Sequence, residues 1–180
     1  AWAVGIGPVS ETATWFNFLA SHDGIGIRPT EGLLTDDDRA LLVQRTLARG
    51  GRVSMARRPD GSEGVYELNT NFLDALVEPG DPDPDASAVA RGLAAHAILL
   101  SVIGVPAIYY HSLLGSGQDR VGMEQSDIAR RINREVLDAD VLEQELTSSA
   151  RRSGMLEGLR HLLTVRRALP GFSPFADQEV

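Results

Sequence analysis

The 180 residues contain no cysteine. A disulfide framework and a thiolate zinc site are therefore both excluded. Lysine is also absent, and all 17 basic residues are arginine. This removes Schiff-base chemistry and a phosphate-loop lysine. No uninterrupted apolar run is long enough to span a bilayer. The opening Ala1-Trp2-Ala3-Val4-Gly5 has neither an initiator methionine nor the basic start of a signal peptide, and it reads as the middle of a domain. The expectation is a fragment of a larger protein. Positive charge is scarce too. A net charge of -8 makes nucleic acid a poor partner, because a phosphate-backbone binder needs a dense basic surface. At 43% hydrophobic and 23% charged, the chain has enough apolar surface to fold, which excludes a disordered chain.

Trp15-Phe16-Asn17-Phe18-Leu19-Ala20-Ser21 is short, apolar and aromatic, the pattern of a strand buried on both faces of a parallel sheet. It stops at His22-Asp23-Gly24. Thr35 is placed to cap a helix whose first turn holds Asp36, Asp37 and Asp38, and Gly50-Gly51 ends it. Arg52 to Ala56 and Val65 to Leu68 flank Pro59-Asp60-Gly61 and predict a hairpin. Thr70 to Leu76 is a short helical stretch, and Pro79 to Asp85 is an acidic loop. A long helix capped by Asp85 or Ser87 runs to Gly104. It is apolar nearly all round, which predicts burial. Val105 to Tyr110 is a second buried strand, ending at His111-Ser112. An irregular stretch to about Arg134 precedes amphipathic helices over Leu137–Leu146 and Arg151–Leu169. Alternating strands and helices predict a parallel α/β architecture.

Several motifs resolve to ordinary structure. Ser21-His22-Asp23 cannot be a catalytic triad on a strand, because successive side chains point to opposite faces. Gly24-Ile25-Gly26 lacks the third glycine of a dinucleotide loop, where Pro29 stands. Asp81, Asp83 and Asp85 open like a calcium loop, but Ala86 and Gly92 occupy the positions that need glycine and glutamate. His96 and His161 have no second ligand at metal spacing and are expected to be structural. The strand ends stand out: His22-Asp23 and Tyr110-His111 are polar groups where a parallel barrel holds its chemistry. From the residues alone they form either a sugar or phosphate site or a structural hydrogen-bond network.

Phe16 to Gly26, read FNFLASHDGIG, resembles the fourth conserved region of the α-amylase clan. The His-Asp-Gly-Ile-Gly form is similar to that of its sucrose phosphorylase subfamily. Val65-Tyr66-Glu67-Leu68-Asn69, Gly104 to Tyr110 and Arg130-Arg131-Ile132-Asn133-Arg134 follow in the same order. Ser21 to Pro29 and His111 to Ser116 look most like the glucosylglycerate phosphorylase branch. The resemblance covers nearly the whole chain.

This resemblance implies a partial (β/α)8 barrel with an inserted α+β subdomain. Residues 1–23 would hold strand seven, 24–85 the insertion, 86–170 strand eight and the final helices, and 171–180 the start of a C-terminal β-domain. It implies a retaining phosphorylase, a hexosyltransferase, that moves a glucosyl group to inorganic phosphate. Sucrose phosphorylase or an α-glucosidase or transglucosidase of the clan is the alternative. The nucleophile and the acid/base would lie on strands outside this sequence, so the isolated chain is expected to be inactive. Asp23 matches the catalytic carboxylate that grips sugar hydroxyls. His22 and Arg130 match sugar-binding residues. Tyr66 and Glu67 match a mobile loop shared by acceptor and phosphate. Glu67 and Gly64 depart from the sucrose phosphorylase pattern, and Ala129 stands where the family often has Gly. Arg28 is either an anchor for an acceptor carboxylate such as glycerate or part of a salt bridge in the insertion. Partners would be a sugar and phosphate, with no cofactor, no metal, no nucleic acid and no membrane. The location would be cytoplasmic, and the oligomeric state is open.

Overall fold

The computed structural model describes residues 5–7 and 9–176. It shows a mixed α/β chain with two small sheets. In chain order these carry β1 (Phe16–Phe18), β2 (Ile25–Gly26), β3 (Arg52–Arg57), β4 (Glu63–Asn69) and β5 (Val105–Ala107). β1 and β5 pair in parallel, Phe16 opposite Val105 and Phe18 opposite Ala107. The other sheet is antiparallel in the order β2-β4-β3. Its tight turn is closed by Arg58 N–H donating to the Ser62 carbonyl at 2.7 Å. β4 is thus the central strand, and Glu67 lies between Gly26 and Ser54.

The helices are α1 (Asp36–Ala48), α2 (Phe72–Ala75), α3 (Pro84–Ser101), α4 (Tyr110–Leu113), α5 (Arg120–Ser126), α6 (Ala139–Ser148) and α7 (Ala150–Ala168). Thr35 and Asp38 cap α1 reciprocally, each side chain accepting the other residue's backbone N–H. Asp83 caps α3 and Pro84 fills its first position, where no N–H is needed. Asn71 caps α2 by accepting from Leu73 and Asp74.

The core sits between α2, α3 and α7 and is built on Leu73, Val77, Ala88, Met155 and Leu159. Gly92 lets these helices close up. A Cβ there would stand 2.7 Å from Leu73 Cδ2 and 3.1 Å from Met155 Sδ, both on fully buried side chains. At the far end of α7, the Arg166 guanidinium donates to the Gly104 carbonyl at 2.9 Å and ties the helix to the start of β5.

Several expectations are corrected. β1 is not buried on both faces: Phe16 is 67% and Phe18 55% exposed. Its only partner among the described strands is β5. Both parallel strands are only three residues long, because ladder pairing stops where the partner ends. α3 is capped by Asp83, not Asp85 or Ser87, and is amphipathic, with Ile98 exposed and His96 buried. α6 starts two residues later than expected, at Ala139, since Asp138 caps it. The stretch to Arg134 holds α5 and a 3-10 turn over Ala129–Asn133. Asp119 folds it back, its N–H donating to the Ile132 carbonyl at 2.9 Å and its carboxylate pairing with Arg131 at 3.0 Å. Residues 171–176 hold the end of a 3-10 turn, and the rest of the expected C-terminal domain start lies outside the described residues. Among the described residues, no helix is long and apolar enough to cross a membrane.

Candidate active site

Just after β1 the chain bends through Ser21-His22-Asp23 and then enters β2. Among the described residues the bend has no strand partner. It is gathered instead by the 3-10 turn Ala129–Asn133 and by Arg134. Arg130 reaches Asp23 Oδ1 with Nη1 at 2.8 Å. The opposite edge of the same guanidinium meets Glu67 side-on, Nε to Oε2 at 3.0 Å and Nη2 to Oε1 at 2.9 Å. One cation therefore sits between two carboxylates, in the planar two-bond geometry that guanidinium favours. Glu67 is buried, while Asp23 and Arg130 are each more than a third exposed at the side chain. The hydrogen bond it donates to Glu67, ahead of that residue's charge, holds the Arg130 guanidinium more firmly protonated than usual.

Gly24 makes this approach possible. A Cβ at that position would lie 2.5 Å from the Leu68 carbonyl oxygen and 2.7 Å from Glu67 Cγ. Only glycine lets β4 pass this close to the bend.

Arg134 adds a second guanidinium, Nη2 to Asp23 Oδ1 at 3.3 Å and Nε to the His22 carbonyl at 2.7 Å. His22 is exposed, its Nε2 standing 3.6 Å from Asp23 Oδ1. These three side-chain contacts all fall on Oδ1; among the described residues none engages Oδ2. Asp23 lines a cavity of about 150 Å³ with Ser21, Gly24, Thr70, Phe72 and Asn133. A second hollow of about 240 Å³, lined by His22, Phe16 and Tyr109 among others, shares Phe18, Ala20 and Ser21 with it. The arrangement can do two things. It can hold an ionised carboxylate at an open rim, and it can present guanidinium and imidazole donors beside it.

The structure brings Asp23, His22, Arg130 and Glu67 together. Tyr66 is half-buried on the central strand, its carbonyl accepting from Ile27 N–H at 2.9 Å, so it and Glu67 stand in a paired strand and not in a loop. Arg28 is exposed, and its described contact is to the Arg57 carbonyl at 3.3 Å; of the two alternatives for it, the salt bridge is not formed among the described residues. His111 is not at a strand end. It is buried in α4, its Nδ1 2.9 Å from Ser116 Oγ, because β5 ends at Ala107 and the chain turns helical at Tyr110. Ser21 Oγ accepts the Asp23 N–H, so no triad forms. Asn133 and Arg134 were not singled out as site residues from the sequence. Their contacts, chiefly with backbone carbonyls, lie far along the chain, which no local pattern announces. Among the described residues there is no cluster of three or more metal-ligating side chains.

No family profile matches the chain. Over 180 residues, 99% of its length, it is 44% identical to the glucosylglycerate phosphorylase of Allomeiothermus silvanus and covers 32% of that protein. It is 41% identical over 175 residues to the glucosylglycerate phosphorylase of Escherichia coli, covering 97% of this chain and 31% of the relative. Among solved structures it is similar to sucrose 6F-phosphate phosphorylase from Thermoanaerobacter thermosaccharolyticum. The TM-score is 0.69 at 26% identity, over 87% of this chain and 30% of the other. The chain thus spans about a third of the length of the relatives it matches.

Proposed function

By descent the chain belongs with the glucosylglycerate phosphorylases, and on that premise we propose that the protein carrying it moves a glucosyl group from glucosylglycerate to inorganic phosphate. The product is α-glucose 1-phosphate, formed with retention by two displacements. A carboxylate attacks the anomeric carbon as an acid protonates the departing glycerate oxygen; phosphate then displaces the enzyme carboxylate. Those two groups lie outside this sequence.

Within it, Asp23 grips pyranose hydroxyls as the ring flattens. Its negative charge favours the oxocarbenium-like transition state over the ground state. Arg130 and His22 orient the glucosyl unit, and Tyr66 and Glu67 border the acceptor and phosphate. The observation that carries this reading is the 2.8 Å pair between Asp23 and Arg130 at an open rim. It holds the carboxylate in place without burying it. Arg28, exposed and one residue beyond the Ile27–Tyr66 backbone bond, is the proposed anchor for the acceptor carboxylate.

We read β1 and β5 as adjacent strands of a barrel, with 24–85 inserted between them, 86–170 completing the barrel and 171–180 leading out of it. The parallel pairing supports this. The proposed setting is the cytoplasm, where phosphate is plentiful.

The test is a product balance. With glucosylglycerate, glucose 1-phosphate should appear only when phosphate is present, with little free glucose. Free glucose formed equally without phosphate would make the protein a hydrolase instead, and activity on sucrose alone would replace the acceptor.

A further inference from the structure

We propose that Asn133 is a positioning residue for Asp23, acting as a buried clamp on the backbone of the Ser21–Asp23 bend, with Arg134 completing it and Asn71 setting its orientation. This rests on the reading of Asp23 given above.

Three successive carbonyls of the bend are held by two adjacent residues. Asn133 Nδ2 donates to the Ser21 carbonyl at 2.6 Å and to the Asp23 carbonyl at 2.9 Å. Arg134 Nε donates to the His22 carbonyl at 2.7 Å. The bend lies outside both sheets, so these bonds stand where a ladder would.

The amide cannot be turned round. Asn71 Oδ1 is committed to capping α2, so its Nδ2 faces outward and donates to Asn133 Oδ1 at 3.4 Å. That leaves Asn133 Nδ2 facing the two carbonyls. Asn71 and Asn133 are both about 3% exposed, which keeps water from substituting. The Asn133 carbonyl also accepts from Tyr109 Oη at 2.9 Å. Burial pushes the Tyr109 phenol up to about 12, so it stays a donor at any working pH. The cap of α2, the turn that carries Arg130 and the bend that carries Asp23 are thereby joined in one polar chain of fixed polarity. Carboxylate and guanidinium are held in register by it, and not by their own ion pair alone.

The test is a double-mutant cycle in the intact enzyme. Asn133→Ala should lower kcat roughly tenfold to a hundredfold, the usual effect of displacing a reacting group by about an ångström, with KM changed little. In an Asp23→Asn background the same substitution should cost almost nothing more. Equal losses in both backgrounds, or wild-type kcat, would overturn the proposal. If Asn133→Ala does not fold, Asn71→Asp serves. It keeps the cap acceptor and puts a carboxylate oxygen in place of the donor to Asn133, and it should lower kcat with the same dependence on Asp23; unchanged kcat overturns the clamp. Amide exchange across residues 20–26 reads the clamp whatever the reaction is. It should rise in either variant without global unfolding, and unchanged protection contradicts the proposal. A wild-type enzyme that made no glucose 1-phosphate, yet showed the exchange effect, would refute the functional reading and leave the clamp standing.

Discussion

Arg130 gives one edge of its guanidinium to Glu67 and its remaining nitrogen to Asp23. A lysine would keep the charge but could not span both carboxylates, since an ammonium is a compact point donor. Arg130→Lys should therefore lower kcat/KM at least tenfold. It should also destabilise the protein by on the order of 1–3 kcal/mol, because buried Glu67 loses a bidentate partner. Steady-state kinetics and calorimetry together check this, and an unchanged melting temperature would mean that Glu67 is satisfied elsewhere. Arg28→Ala addresses the acceptor. It should raise the KM for glucosylglycerate with kcat retained; an unchanged KM removes Arg28 from the site. At this scale the resemblance marked Asp23, His22, Arg130 and Glu67, and the fold gathers them at one rim. Asn133 and Arg134 belong to the same Arg130–Arg134 motif, to which the resemblance assigns a role only at Arg130. A side chain that binds backbone carbonyls leaves no signature in its own neighbourhood.

α3 carries a buried histidine whose ring belongs to the core. His96 Nδ1 lies 2.7 Å from the Gly92 carbonyl, one turn back, and the ring meets Phe72 edge-on. Burial holds its pKa below the ordinary 6.5, and His111 is lowered for the same first cause. Both are neutral when folded, while the unfolded chain takes up protons below about 6.5. Their contribution is complete above that pH and is lost as pH falls from 6.5 towards the lower folded values. The melting temperature should fall between pH 6.5 and 5. His96→Gln should flatten part of that slope, and a variant with the wild-type slope would show that His96 does not contribute to it. Elements with local signals were legible: the α1 cap, the β3–β4 turn and α7 are all encoded within a few residues. α5 and the 3-10 turn were not, since Asp119 and Ile132 close them across a gap that carries no periodicity. The burial of β1 was misjudged because an aromatic run says that a face is covered somewhere, not by what.

Phe16, Phe18 and Trp15 present a partly open aromatic surface beside a two-stranded parallel sheet. Parallel sheets are stable when covered on both faces, and unpaired edges invite association. The 180-residue polypeptide on its own should self-associate and form no glucose 1-phosphate. Sedimentation velocity with a product assay would show this, and a sharply melting, active monomer would contradict it. In the intact enzyme glucosyl transfer should depend on one carboxylate, Asp23, held by Arg130. The most direct measurement is the kcat of Asp23→Asn for glucosyl transfer from glucosylglycerate to phosphate, on folded protein matched to wild type by its melting curve. That kcat should fall roughly a hundredfold to a thousandfold, the scale seen when one preorganised electrostatic group is removed, with KM little changed. A kcat within about twofold of wild type would contradict it.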